Sequence, residues 1–165
     1  MILDLKSVFL GEKTQLTLQD EVDLSEDNRG SEGFASPVAA DITVVNRAGL
    51  VEMTAKVSFD YRFACDRCAV MTNRRYAYQF RHILVAALSE ESGDDYIEAP
   101  DYKLDTDALI RDDILLELPS KLVCQESCKG LCSKCGKNLN EGSCTCNRQE
   151  TDPRLAVLKQ LLAEE

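Results

Sequence analysis

Eight cysteines are the residues of this chain best equipped for chemistry. They stand at positions 65, 68, 124, 128, 132, 135, 144 and 146. Thiolates serve as nucleophiles, redox partners and ligands for soft metal ions, and their spacing separates these uses. Cys65-Asp66-Arg67-Cys68 and Cys132-Ser133-Lys134-Cys135 are both C-x-x-C, a spacing that lets two sulfurs and the amides between them close around one ion. Cys144 and Cys146 form a tighter pair, and Cys124, Cys128 and Cys132 follow one another at steps of four. A secreted chain would use such a set for disulfides. The first ten residues contain Asp4, one Lys and no small-residue cleavage site, so they do not read as an export signal, and metal is the expected use.

Zinc takes four ligands in a tetrahedron, and thiolates suit it. The preferred grouping places Cys132, Cys135, Cys144 and Cys146 in one zinc site, with the turn-rich stretch Gly136 to Ser143 as the hairpin of a zinc-ribbon-like module. Cys65, Cys68, Cys124 and Cys128 would make a second site, which requires two distant segments to meet. Two alternatives stay open. One is a local site built from Cys128, Cys132, Cys135 and either Cys144 or Cys146. The other leaves Cys65 and Cys68 as reduced thiols capping a hairpin. A thioredoxin-type redox pair fits less well, because that motif sits near a strand-to-helix junction and the flanks here read as strands.

Little else in the chain offers catalysis. The single histidine, His82, falls in an aromatic strand and reads as half-buried and hydrogen-bonded. G-x-S-x-G, P-loop, G-x-G-x-x-G and H-E-x-x-H motifs are absent from the sequence. The acids of residues 90–118 are spread along a loop and the wet face of a helix, so they read as solvated surface. Binding is better supported. Arg74, Arg75 and Arg81 fall in one strand-like stretch with Tyr76, Tyr78 and Phe80. Such a set can grip phosphates and stack bases, although the aromatics are more simply a core-facing row. The knuckle tip, with Arg67, Arg74 and Arg75, is the better candidate for phosphate contact.

These residues need elements to hold them. Met53, Ala55, Val57, Phe59, Tyr61 and Phe63 alternate with polar residues, which predicts a long half-buried strand. The stretch from Arg74 to His82 alternates in the same way, and the two predict an antiparallel hairpin with the Cys65–Cys68 knuckle at its tip. Residues 41–46 predict a further strand, ended by a turn at 46–49. Residues 19–37, acidic and rich in Ser, Gly and Asn, read mostly as loop, and residues 1–18 are ambiguous. Residues 104–118 predict a helix capped by Asp105 or Thr106 and ended by Pro119. Asp152, Pro153 and a leucine stripe predict a short C-terminal helix. The expected fold is α+β, mainly β: an antiparallel sheet or small open barrel with one or two packed helices and a C-terminal cysteine-rich module. The expected units are a body over 1–121, the zinc module over 122–148 and a helix over 149–165.

Composition bounds the partners. The chain has 165 residues, 44% of them hydrophobic and 29% charged, with a net charge of −10, which is the profile of an ordinary globular domain. No apolar run approaches the roughly 18 residues needed to span a bilayer, so the expectation is a cytoplasmic protein without membrane contact. A net-acidic chain is a poor general nucleic-acid coat. The charge is uneven, however. Residues 61–82 hold five arginines against one acid, residues 119–137 hold four lysines against one acid, and residues 90–118 hold eleven acids against two bases. The two basic islands coincide with cysteine clusters.

Three motifs then stand in order: Phe63-Ala-Cys65-Asp-Arg67-Cys68, the helix Asp112-Asp-Ile-Leu-Leu-Glu-Leu-Pro119, and Cys128-Lys-Gly-Leu-Cys132-x-x-Cys135-Gly-x-Asn138-Leu-Asn140. Together they resemble the YceD family, whose members are named for large ribosomal RNA subunit accumulation. The resemblance covers most of the chain. It implies a bacterial cytoplasmic, non-enzymatic protein needed for normal levels of 23S ribosomal RNA. The partner expected is 23S rRNA or its precursor, or a basic large-subunit ribosomal protein, with no small-molecule substrate. One reading is a ribosome-biogenesis factor that contacts RNA. Another is an acidic holdase for a basic ribosomal protein, without RNA contact.

Overall fold

A fifteen-residue strand with strict alternation organises the chain. In the computed structural model, which describes residues 1–87 and 96–146, β5 (Leu50–Ala64) buries Val51, Met53, Ala55, Val57, Phe59 and Phe63 on one face. Its partner β6 (Met71–Val85) runs antiparallel to it, in register from Ala64↔Met71 to Val51↔Leu84. Side chains two residues apart share a face, so Tyr76, Tyr78 and Phe80 lie beside Phe59. They pack half-buried against the same core. Ring centroids 5.8–6.0 Å apart link Phe59 to Tyr76, Tyr76 to Tyr78 and Tyr78 to Phe80. The aromatics are therefore the core-facing row; Arg75 and Arg81 alternate with them, and Arg74 shares their face.

The remaining strands extend this hairpin into a sheet that curls as a half-barrel. Strand β4 (Val38–Arg47) pairs with β5 through a two-residue turn at Ala48 and Gly49, both at positive φ, the backbone that tight hairpin turns favour. Beyond β4 comes β2 (Gln15–Val22). Where β4 stops, β3 (Gly33–Phe34) takes its place beside Tyr61 and Arg62, after a break that contains Pro37. The far edge is β7 (Tyr96–Glu98), which pairs parallel to β6, so the sheet is mixed at that edge. A separate two-stranded ribbon joins β1 (Ile2–Asp4) to β8 (Lys103–Asp105).

Among the described residues, two α-helices cover the apolar face. Helix α1 (Lys6–Phe9) inserts Val8, with Leu5 beside it. Helix α2 (Thr106–Glu117) inserts Ile110 and Ile114, both fully buried. Asp105 caps α2 by accepting from the Asp107 and Ala108 amides, which satisfies donors that the first turn leaves orphaned. The His82 ring Nε2 lies 2.7 Å from Asp113 Oδ2, tying α2 to β6. Leu104, expected in the helix, belongs to β8 because Leu3 pairs with it across the chain. The expected loop over 19–37 contains the end of β2, a 3-10 turn at Ser25–Asp27 and β3. Asp20 interrupts the apolar alternation of β2 and hides that strand from a pattern reading. The predicted C-terminal helix lies outside the described residues.

Phe59 is 2% exposed and touches the rings of Phe34, Tyr61, Tyr76 and Tyr78. Phe59→Ala is expected to cost about 3–5 kcal/mol of stability, read as a lower midpoint in urea denaturation.

Candidate metal centre

At the hairpin tip the chain turns through residues 65–70. The Cys65 N–H donates to the Val70 carbonyl (3.0 Å) and the Ala69 N–H to the Cys65 carbonyl (2.8 Å). This turn holds both knuckle sulfurs on one side. The second pair arrives from beyond α2. The Asp66 N–H donates to the Leu122 carbonyl (2.8 Å), and the Leu122 N–H donates back to Asp66 Oδ2 (2.6 Å). That reciprocal clasp delivers Cys124 and Cys128 to Cys65 and Cys68.

The four sulfurs lie within 4.8 Å of one another. Cys65–Cys128 and Cys68–Cys124 separations are 3.9 and 3.7 Å. A disulfide would need about 2.05 Å. Four sulfurs about 2.3 Å from a central ion would be about 3.8 Å apart. The spacing therefore fits a tetrahedral cation. Cys132, Cys135, Cys144 and Cys146 form a second set within the same 4.8 Å limit, with Cys132 and Cys144 sulfurs 3.4 Å apart. Here the Gly136 N–H returns to the Cys132 carbonyl (2.8 Å) and the Cys132 N–H to the Lys137 carbonyl (2.9 Å). Lys137 Nζ reaches the Ser143 carbonyl, which draws in the Cys144–Cys146 arm. The eight cysteines thus divide four and four. Cys128 does not join the ribbon set, and Cys65 and Cys68 are not a solitary pair. The first cluster draws its pairs from either side of residues 121 and 122.

The titration of the thiols points the same way. Burial opposes ionisation of Cys65, but amides of Cys124, Arg67 and Cys68 outweigh it and bring the thiol down to about 6. Amides of Cys135 and Lys134 bring Cys132 down to about 6. The Asn140 amide lowers Cys128. Burial, then the sulfurs of Cys128, Cys65 and Cys68, push Cys124 up to about 12. The Cys135 sulfur, then burial, does the same to Cys146. The Val70 amide favours the Cys68 thiolate, yet burial and the sulfurs of Cys65 and Cys128 leave it raised. In each cluster some thiolates form readily and resist their neighbours' ionisation. A central cation removes that conflict, because metal ligands must be deprotonated.

The arginines divide by role. Arg67 Nη1 donates to the Glu126 and Cys128 carbonyls (3.0 and 2.9 Å). Arg74 Nη2 donates to the Val123 and Cys124 carbonyls (2.7 and 3.1 Å) and lies over the Phe63 ring. Both fasten the loop that carries the second cysteine pair. Arg75 and Arg81 are exposed on the opposite face of β6. Arg81 stands ten positions from Met71, about 33 Å along the strand, and so away from the tip. The clasp also brings the lysines that flank the second cysteine pair to the end of the molecule that holds Arg67, Arg74 and Arg75.

Two positioning residues were invisible as such in the sequence. Asn140 belongs to the ribbon hairpin, yet its Nδ2 donates to Cys128 Sγ of the other cluster (3.3 Å), while its Oδ1 accepts from the Lys129 N–H (2.8 Å). Gly130 has φ +74, and a Cβ there would meet the Arg67 carbonyl oxygen at 2.9 Å. That oxygen accepts from the Leu131 N–H (2.9 Å). The only available signal was the C-x-x-x-C frame around Gly130 and the Asn-x-Asn pair.

The fold and its site define a curled half-barrel sheet domain with two four-cysteine clusters at the tip of its longest hairpin, and among the described residues no helix is long and apolar enough to cross a bilayer. The chain belongs to the YceD family, described as large ribosomal RNA subunit accumulation protein YceD, whose model it matches over residues 53–162. A relative from Arabidopsis thaliana, named large ribosomal RNA subunit accumulation protein YCED homolog 1, chloroplastic, is 26% identical over 156 residues, covering 76% of this chain and 49% of the relative. The Zea mays protein of the same name is 30% identical over 159 residues, covering 75% and 54%. The chain thus spans about half the length of these plant relatives. YlbN of Bacillus subtilis is 26% identical over 133 residues, covering 75% of this chain and 77% of the relative. No solved structure matches the chain.

Gly130→Ala forces a side chain into left-handed backbone, a penalty of about 1–2 kcal/mol, and strains the strap between the clusters. It should lower metal affinity about ten-fold in competition with a chromophoric chelator. Metal retention should also depend on pH. Cys65 and Cys132 remain ionised down to about 6, and bound metal holds them ionised further. Thiolate-to-metal absorbance should therefore persist at about pH 6 and disappear only at lower pH.

Proposed function

We propose that this chain supports accumulation of large-subunit ribosomal RNA as a non-enzymatic binding factor, with zinc in both cysteine clusters and RNA contacted at the hairpin tip. One observation carries the reading. The Asp66–Leu122 clasp joins two basic segments that the sequence separates by an acidic one. A divalent ion among four thiolates carries a net charge of −2, so part of this basic charge balances the clusters themselves. Arg67 and Arg74, bonded to the cysteine loop, serve that purpose. Arg75, Lys121 and Lys129 have exposed side chains at this end and are the groups available for phosphate. Zinc fits the all-thiolate sets, which are typical of structural sites. Its part is to hold the tip in shape, and the phosphate contacts fall to the surrounding lysines and arginines.

The test is crosslinking in living cells followed by sequencing of the attached RNA. A discrete peak within 23S precursor sequence is expected. Arg75→Glu with Lys129→Glu should reduce its yield at least about ten-fold, since phosphate contacts dominate such affinity. Absence of RNA above background from intact protein would refute the contact. Elemental analysis of protein purified without chelators should find two zinc ions per chain, and Cys132→Ser should lose one of them.

A further inference from the structure

The base of the hairpin carries a second surface of opposite character. There β7, the segment from Pro100 to Asp105 and α2 enclose a groove of about 560 Å³. Ile97 of β7 is in register with Leu84, and Leu84 with Val51. The groove is thus fourteen positions along the chain from Cys65 of the knuckle, about 45 Å along the strand. Ile2, Ile97, Pro100, Leu104, Ala108 and Leu109 give it an apolar lining. Ile2 is 69% exposed. The same stripe of α2 continues outward, since Ala108, Asp112, Leu115 and Leu116 follow at helical spacing. Leu115 is 40% exposed and Leu116 86%, and among the described residues neither belongs to a core cluster.

The rim of this groove is acidic. Glu98, Asp101, Asp105 and Asp112 line it, with Lys103 as the one basic residue among the described lining residues; Asp105 pairs with the Met1 ammonium group and Asp112 with Arg111. Among the described residues Glu98 and Asp101 have no ion-pair partner. Asp101 and Tyr102 are successive non-glycine residues in left-handed backbone (φ 53 and 62). Tyr102 is held there by the Leu5 N–H on its carbonyl (2.8 Å) and by the Phe9 ring. This fixed bend sets the Asp101 side chain at the rim.

We propose that this groove docks an amphipathic segment of a basic protein, with apolar side chains on the Ile2–Leu109 floor and lysines or arginines against the rim. Charge complementarity selects the occupant. Nucleic acid would bring phosphates against carboxylates. A second copy of the chain would bring the same acidic rim against itself across a two-fold axis. The chain's own residues 147–165 hold three basic and four acidic side chains, which do not complement the rim. This site is independent of RNA contact at the tip.

The test uses the full, metal-loaded chain and two fluorescent helical peptides of about fourteen residues, one of leucine and lysine, one of leucine and glutamate. Fluorescence anisotropy should show saturable binding of the lysine peptide only, weakened more than about ten-fold between low and high salt. Glu98→Lys with Asp112→Lys should weaken binding at least ten-fold. Leu116→Asn, a fully surface change that leaves folding intact, should weaken it several-fold. Arg75→Glu should leave it unchanged. Equal affinity for both peptides, insensitivity to the groove variants, displacement by a 23S RNA fragment, or concentration-dependent dimerisation through this face would overturn the proposal. Failure here with intact RNA crosslinking would remove the groove and leave the tip contact standing.

Discussion

Four sulfurs from segments fifty-six or more residues apart have to meet within one tetrahedron at the hairpin tip. Much of the remaining architecture serves that meeting. The long β5–β6 hairpin supplies a rigid arm for Cys65 and Cys68. Helix α2, locked on the sheet by Ile110, Ile114 and the Asp113–His82 contact, aims the chain toward the tip. Asp66 then closes the loop on Leu122. Ligation adds stability only where the polypeptide has already been brought into reach, because otherwise the ion must offset the entropy of closing a long loop.

The two clusters are mechanically linked. Cys128 ends the first and Cys132 begins the second, with Lys129, Gly130 and Leu131 between them. The Arg67 carbonyl accepts from Leu131, and Asn140 reaches back from the ribbon to Cys128. The ribbon therefore hangs from the knuckle, and its hairpin contributes an amide to the knuckle's own sulfur. Arg67 and Arg74 donate to loop carbonyls at the seam, so removing either would loosen the loop before it altered any surface contact.

The charge of the molecule is separated along the same axis. Basic groups gather at the cysteine end, and carboxylates gather at the hairpin base around exposed apolar side chains, with Glu98 and Asp101 unpaired among the described residues. A net charge of −10 hides this polarity. It describes repulsion from nucleic acid on average, whereas association depends on the local field at the surface that makes contact.

The alternation of Met53 to Phe63, the turn at Asn46–Gly49, the Asp105 cap and the C-x-x-C pairs were all legible in the sequence, because each depends on neighbours within a few residues. So was the family to which the chain belongs. Three features needed the fold. Leu104 is a strand residue because Leu3 pairs with it, and no local pattern reports a partner at the other end of the chain. Cys128 could have joined either cluster by spacing, and the Asp66–Leu122 clasp assigns it to the knuckle. Arg67 and Arg74 read like Arg75 in the sequence, yet their guanidinium groups meet the carbonyls of a loop about fifty to sixty residues later. Local periodicity determines which face of an element is apolar. Only long-range packing decides which side chains on that element find a partner within the chain and which remain for another molecule.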